Sequence, residues 1–85
     1  MSEGQASITE QLRKLLVEIT GRAELAGLPA GAALFGGGAG LDSLTGTMLL
    51  RRIHREFGVD VAGEDINLDA METLGTLAAF IARRS

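Results

Sequence analysis

The 85-residue chain has no cysteine, no tryptophan and no tyrosine, only three phenylalanines, and a single proline, Pro29. Without cysteine there is no disulfide framework, no thiolate nucleophile and no cysteine-ligated zinc site. Apolar residues make up 46% of the chain, enough for a core. Yet no apolar run approaches the ~20 residues of a membrane span, so no membrane partner is expected. Met1 to Ser7 is polar and lacks the basic flank and apolar stretch of a secretory signal, which predicts a cytoplasmic protein. A net charge of −3 argues against a nucleic-acid partner, which calls for a strongly basic face. A chain of this length makes one domain, 1–85, with 1–7 expected as a flexible N-terminus. It has little room for a deep pocket and the supporting shell of several catalytic groups, which favours a binding or carrier role over an enzyme.

What is present is helical. Ser7 followed by Glu10 is a capping-box signature, and Ile8, Leu12, Leu15, Leu16 and Ile19 recur at helical spacing. This predicts a first helix from Ile8 to Thr20, stopped by Gly21. From Arg22 to Leu41 the chain holds six of its twelve glycines and the proline, with Leu25, Leu28, Leu34 and Phe35 available to pin a packed loop onto a core. Asp42 or Ser43 caps a second helix from Leu44 to Phe57, ended by Gly58. Val59 to Val61 reads as an extended connection and Glu64 to Leu68 as a short helical turn. A last helix starts near Thr73, with Leu74, Leu77, Ala78 and Ile81 on one face and Arg83 and Arg84 complementing the dipole at its end. No alternation of period two competes. The expected fold class is all-α: three long helices and one short one around a single aliphatic core.

A helical wheel divides the second helix. Gly46, Leu49, Ile53 and Phe57 fall on one side, with Leu50 at its edge, and form the expected buried face. Leu44, Met48, Arg51 and Arg55 fall on the opposite side, with Thr47 beside them. Two apolar residues facing solvent are ordinary as solitary exposures. Side by side and bounded by arginines, they also read as a partner-docking stripe. Charge is uneven along the chain: Arg51, Arg52 and Arg55 precede an acidic stretch, Asp60, Glu64, Asp65, Asp69 and Glu72, which contains no lysine or arginine.

At the head of this helix stands Asp42-Ser43-Leu44, reached through Phe35-Gly36-Gly37-Gly38-Ala39-Gly40-Leu41. The motif puts one hydroxyl where a loop becomes a helix. A hydrolase reading of Ser43 fails on spacing, because the sole histidine, His54, lies eleven residues along the same predicted helix. At 1.5 Å rise per residue that is ~16 Å, beyond reach of a base. The glycine run lacks the Gly-Lys-Ser/Thr ending of a phosphate loop. Asp65, Asn67 and Asp69 mimic the opening of a calcium loop, but Ala70 replaces the glycine and Thr76 the closing glutamate, so no metal site is expected. Met48 and Met71 are gap-filling or docking residues with no histidine cluster beside them.

The Gly40-Leu41-Asp42-Ser43-Leu44 pattern, with Leu34-Phe35 upstream and Phe57-Gly58-Val59 downstream, resembles the phosphopantetheine attachment site of acyl and peptidyl carrier proteins. The resemblance covers roughly Ile8 to Ala82 and implies a four-helix bundle of carrier-protein type. It implies that a phosphopantetheinyl transferase moves 4'-phosphopantetheine from coenzyme A onto Ser43, releasing adenosine bisphosphate in a magnesium-dependent reaction. Asp42 resembles the acidic residue that helps the transferase recognise the serine. An acyl or aminoacyl group is then carried as a thioester on the arm, without catalysis by the chain itself. A serine at a helix N-terminus suits a phosphodiester, since the dipole's positive end favours an anion.

The second helix departs from the acidic one typical of fatty-acid carriers. It looks more like that of stand-alone carriers of polyketide or nonribosomal peptide pathways. The implied partners are a loading enzyme, either an adenylation enzyme or an acyltransferase, and a downstream synthase. Docking is expected on Leu44, Thr45, Met48, Arg51 and Arg55, with Glu64 and Asp65 as a second patch, and a monomer suits such transient contacts. The competing reading is an unmodified helical interaction module that uses the Leu44/Met48 stripe.

Overall fold

Helix α1, Glu3–Thr20, carries its apolar residues one turn apart, so Ile8, Leu12, Leu15 and Leu16 form a single buried stripe. The computed structural model describes residues 3–61 and 71–84. The helix starts at Glu3 rather than Ile8, so Glu3 to Ser7 is helical. Gln5 and Ala6 are good helix formers, and nothing between them and Ser7 breaks the backbone. Ser7 therefore lies inside the helix, where its Oγ accepts from Gln11 Nε2 at 3.2 Å. Glu10 pairs forward with Arg13. Positions three apart share one helix face in the interior as well as at the start, which is why this pair mimics a cap. Gly21, at φ 72°, ends the helix as expected and donates its N–H to the Val17 carbonyl at 2.8 Å.

The long connection is packed, as its leucines predict, and it begins with a 3-10 helix, Ala23–Gly27, that no periodicity signals. Leu25, Leu28, Leu34, Ala39 and Leu41 are all buried. Arg13 Nε donates to the Leu28 carbonyl at 2.7 Å, tying the connection to α1. Its far half runs beside the start of the last helix. Leu34 N donates to Glu72 O at 3.1 Å, Leu74 N to Ala32 O at 3.2 Å and Gly75 N to Ala30 O at 2.7 Å. These bonds pair backbone groups of the loop with those at the start of the last helix.

Helix α2, Ser43–Phe57, ends at Gly58 in the left-handed conformation, as expected. Helix α3, Leu74–Arg84, starts just after Thr73 through a reciprocal pair of bonds. Thr73 Oγ1 accepts from Thr76 N at 3.0 Å and Thr76 Oγ1 accepts from Thr73 N at 2.9 Å. This is capping-box logic with threonine at the third position. Leu74, Leu77, Ala78, Phe80 and Ile81 are buried, and the Arg84 guanidinium lies 4.8 Å over the Phe80 ring. Helix α1 packs against α3, the 3-10 helix and α2, with Leu12, Leu16, Leu34, Leu49, Ile53, Leu74, Leu77 and Ile81 inaccessible between them.

The fold is all-α: three α-helices, with isolated bridges Ala33 to Thr73 and Phe35 to Leu41 but no strand among the described residues. The short turn expected at Glu64 to Leu68 lies outside the described residues, as do the calcium-loop mimic and the docking residues Glu64 and Asp65. No helix among the described residues is long and apolar enough to cross a membrane.

Candidate functional site

The site is assembled where the glycine-rich segment meets α2. Gly36 and Gly40 adopt φ of 75° and 68°, which reverses the chain twice within a short span. Ala39 N donates to Ala33 O at 2.8 Å, closing the segment. The closure is so tight that a Cβ on Gly38 would stand 2.0 Å from the Ala33 carbonyl oxygen. Leu41 is then buried, with its N–H on the Leu34 carbonyl at 3.0 Å. The backbone is thus anchored immediately before the Asp42-Ser43 pair.

Of the two candidate caps, the structure selects Asp42. Its Oδ1 accepts from Thr45 N at 2.7 Å, and its carbonyl accepts the first helical bond from Gly46 N at 2.9 Å. The Thr45 N–H, and after it the Thr45 hydroxyl, hold the Asp42 carboxyl below its ordinary value of 3.8. Ser43 is the first residue of α2 and is exposed. Because Asp42 caps the helix, the Ser43 hydroxyl is not committed to the helix end. It stands at the positive end of the dipole, between two buried residues, Leu41 and Gly46, which fix the backbone on either side. An accessible hydroxyl on an immobilised backbone is suited to reaction inside another protein's active site.

The chain's single histidine is not beside it. His54 lies on the same helix near its far end, exposed, in a shallow groove with Thr47, Leu50, Arg51 and Asp60. No group of three potential metal ligands occurs among the described residues.

The faces of α2 follow the wheel. Gly46, Leu49 and Ile53 are buried, while Leu50 and Phe57 are half-buried. On the outer side Leu44 is 71% and Met48 42% exposed, with Arg51 and Arg55 exposed beside them. Thr45, expected in the same docking set, is half-buried, with its N–H engaged by Asp42. The arginine cluster divides. Arg52 leaves it for α1, donating to Glu18 at 2.9 Å and lying 3.7 Å from Glu56, whereas Arg51 and Arg55 stay on the outer face.

Two residues that sequence reasoning missed shape the approach to Ser43. Phe35, expected to pin the loop into the core, is 40% exposed, and its ring lies against Gly46. A glycine on the buried face of α2 was the available signal for a close neighbour. Arg22 reaches across to the Ala39 carbonyl at 2.6 Å, a contact between positions 17 apart that no local pattern announces.

A family model described as phosphopantetheine attachment site matches residues 10–81, from within α1 to within α3, and so spans the Asp42-Ser43 pair. No curated protein and no solved structure matches the chain significantly.

Proposed function

Since the chain belongs to the phosphopantetheine attachment-site family, whose members carry a 4'-phosphopantetheine prosthetic group, we propose that Ser43 bears this arm and that the protein is a carrier of acyl or aminoacyl intermediates. The observation that carries the reading is the exposed Ser43 hydroxyl at the first position of α2, left uncommitted by the Asp42 cap. The residues present suit the group. A phosphodiester on Ser43 would sit in the positive field of the helix N-terminus, and the Asp42 carboxylate is turned onto the Thr45 N–H.

In the attachment step the Ser43 oxygen forms a bond to phosphorus as the bond to the departing adenosine bisphosphate breaks. The hydroxyl proton passes to a base of the phosphopantetheinyl transferase, and magnesium belongs to that enzyme's reaction. Asp42 fixes the helix start and so the orientation of the Ser43 backbone. When bound, the arm supplies the thiol on which cargo is carried as a thioester. The family's domains act as carriers without catalysis of their own.

The pathway we propose is secondary-metabolite biosynthesis of polyketide or nonribosomal peptide type, in a cytoplasmic monomer. Its partners would be the transferase, an adenylation enzyme or acyltransferase that loads the arm, and a downstream synthase. Leu44, Met48, Arg51 and Arg55 support this reading as an apolar stripe flanked by cations, which fits partners that present carboxylates around an apolar socket. Thr45 would contribute only its accessible edge.

The experiment is intact-protein mass spectrometry after incubation with coenzyme A, magnesium and a broad-specificity transferase. Wild type should gain one phosphopantetheinyl group and Ser43→Ala none. No gain by the folded wild type would leave the 71% exposed Leu44 as the anchor of an unmodified interaction module, and Ser43→Ala would then leave partner binding intact.

A further inference from the structure

The glycine-rich segment before Ser43 is closed mainly on itself. Among the described residues, one side chain from outside hydrogen-bonds to positions 36–41. Arg22 Nη1 donates to the Ala39 carbonyl at 2.6 Å, and a Cβ on Gly40 would stand 3.8 Å from the same nitrogen. With Arg22 in place Ala39 is inaccessible to solvent, and the guanidinium is the side-chain donor at its carbonyl.

Arg22 is itself held on both sides. Its backbone N–H donates to Thr20 Oγ1 at 3.1 Å, that hydroxyl donates to the Leu16 carbonyl at 2.7 Å, and its Nε lies 3.4 Å from Glu24 Oε2. The end of α1 and the first turn of the 3-10 helix thus aim the guanidinium at a point three residues before the Asp42 cap. The bond is charge-assisted, the stronger kind of hydrogen bond.

We propose that Arg22 is a positioning residue for Ser43. By clamping Ala39 it fixes the last turn of the glycine-rich segment, and hence the direction from which Asp42 and Ser43 enter α2, before the transferase arrives. The glycines would otherwise leave this segment many conformations, and the transferase would have to order it in the encounter. This inference rests on Ser43 being the modified residue.

The test measures phosphopantetheinylation rates by intact mass at varied carrier concentration, with one transferase, for wild type, Arg22→Ala, Arg22→Lys and Arg13→Ala. Amide hydrogen exchange over residues 36–41 is followed in parallel. Arg13 is the control, because its bond to the Leu28 carbonyl at 2.7 Å is a similar arginine-to-loop tie placed elsewhere in the connection. Arg22→Ala should lower kcat/KM for modification by about three- to tenfold, less than the ~100-fold cost of a fixed 1 Å misplacement because the transferase can still order the segment on binding, and should speed exchange over 36–41. Arg22→Lys should recover part of both, since its ammonium can still donate to the carbonyl. Arg13→Ala should match the change in melting temperature without the change in rate. Modification of Arg22→Ala at the wild-type rate, or an equal slowing by Arg13→Ala, would overturn the inference and leave Ser43 as the attachment point. An unmodified wild type would instead remove the attachment reading and the inference with it.

Discussion

Replacing Gly46 by alanine tests how the glycine-rich segment is seated on α2. A Cβ at this position would lie 2.9 Å from Phe35 Cε1 and 3.0 Å from Cζ. Ordinary carbon contacts are about 3.5–4.0 Å, so the ring edge must withdraw by roughly 0.6–1 Å. The colliding atoms are at the tip of a side chain that is 40% exposed, so the ring can swing outward. We place the cost at the low end of the overpacking range, about 1 kcal/mol. Against it stands a gain of about 1 kcal/mol for alanine over glycine inside a helix. The two oppose one another, and Gly46→Ala alone should change stability by less than about 0.5 kcal/mol.

Phe35→Ala removes the obstacle. In that background Gly46→Ala should show its full helix gain, about 1 kcal/mol, which for a domain of this size is roughly 4–8 °C in Tm. The assay is a double-mutant cycle by urea and thermal unfolding, followed by circular dichroism in all four proteins, with an expected coupling of about 1 kcal/mol. Equal stabilisation by Gly46→Ala in both backgrounds would mean that the ring does not rest on Gly46, and the reasoning would fail.

Further predictions follow from the cap and the outer face. The Asp42 carboxyl is held below 3.8 by the Thr45 N–H and hydroxyl, so its folded-state pKa is lower than its unfolded one. That contribution is complete above about pH 3.8 and is lost as pH falls through the folded-state value. Asp42→Asn keeps a capping oxygen but cannot titrate, so wild type should lose stability relative to it only on the acid side of that window. An NMR titration of Asp42 with its midpoint at or above 3.8 would contradict this. Charge reversal of Arg51 and Arg55 together should slow loading by the enzyme that acylates wild type, and the deficit should shrink as added salt screens the surface. Loading at an unchanged rate would remove these two residues from the docking surface.

The main elements were legible in the sequence because their signals are local. The spacing of leucines and isoleucines marked the buried stripes of α1 and α3, Gly21 and Gly58 marked two helix ends, and the wheel separated Leu49 and Ile53 from Leu44 and Met48. The start of α1 at Glu3 is not marked locally, because a serine and a glutamate three apart occupy one face whether or not a helix begins there. For the site, the sequence singled out the Asp-Ser pair but could not say which residue takes the capping bond, since both side chains are competent to accept it.

By itself the sequence determined the class of fold, the position of Ser43 at the head of α2 and the identity of the residues facing away from the core. Each of these depends on periodicity or on chemistry within a few residues. Tertiary structure decided that Asp42 caps while Ser43 is left exposed, that Phe35 lies on Gly46, that Arg52 deserts its neighbours for Glu18, and that Arg22 holds Ala39. Apart from the cap choice, these pairings join positions far apart in the chain. They form only after the core has set the helices side by side, because an exposed arginine or a half-exposed ring has no local preference strong enough to choose its partner in advance.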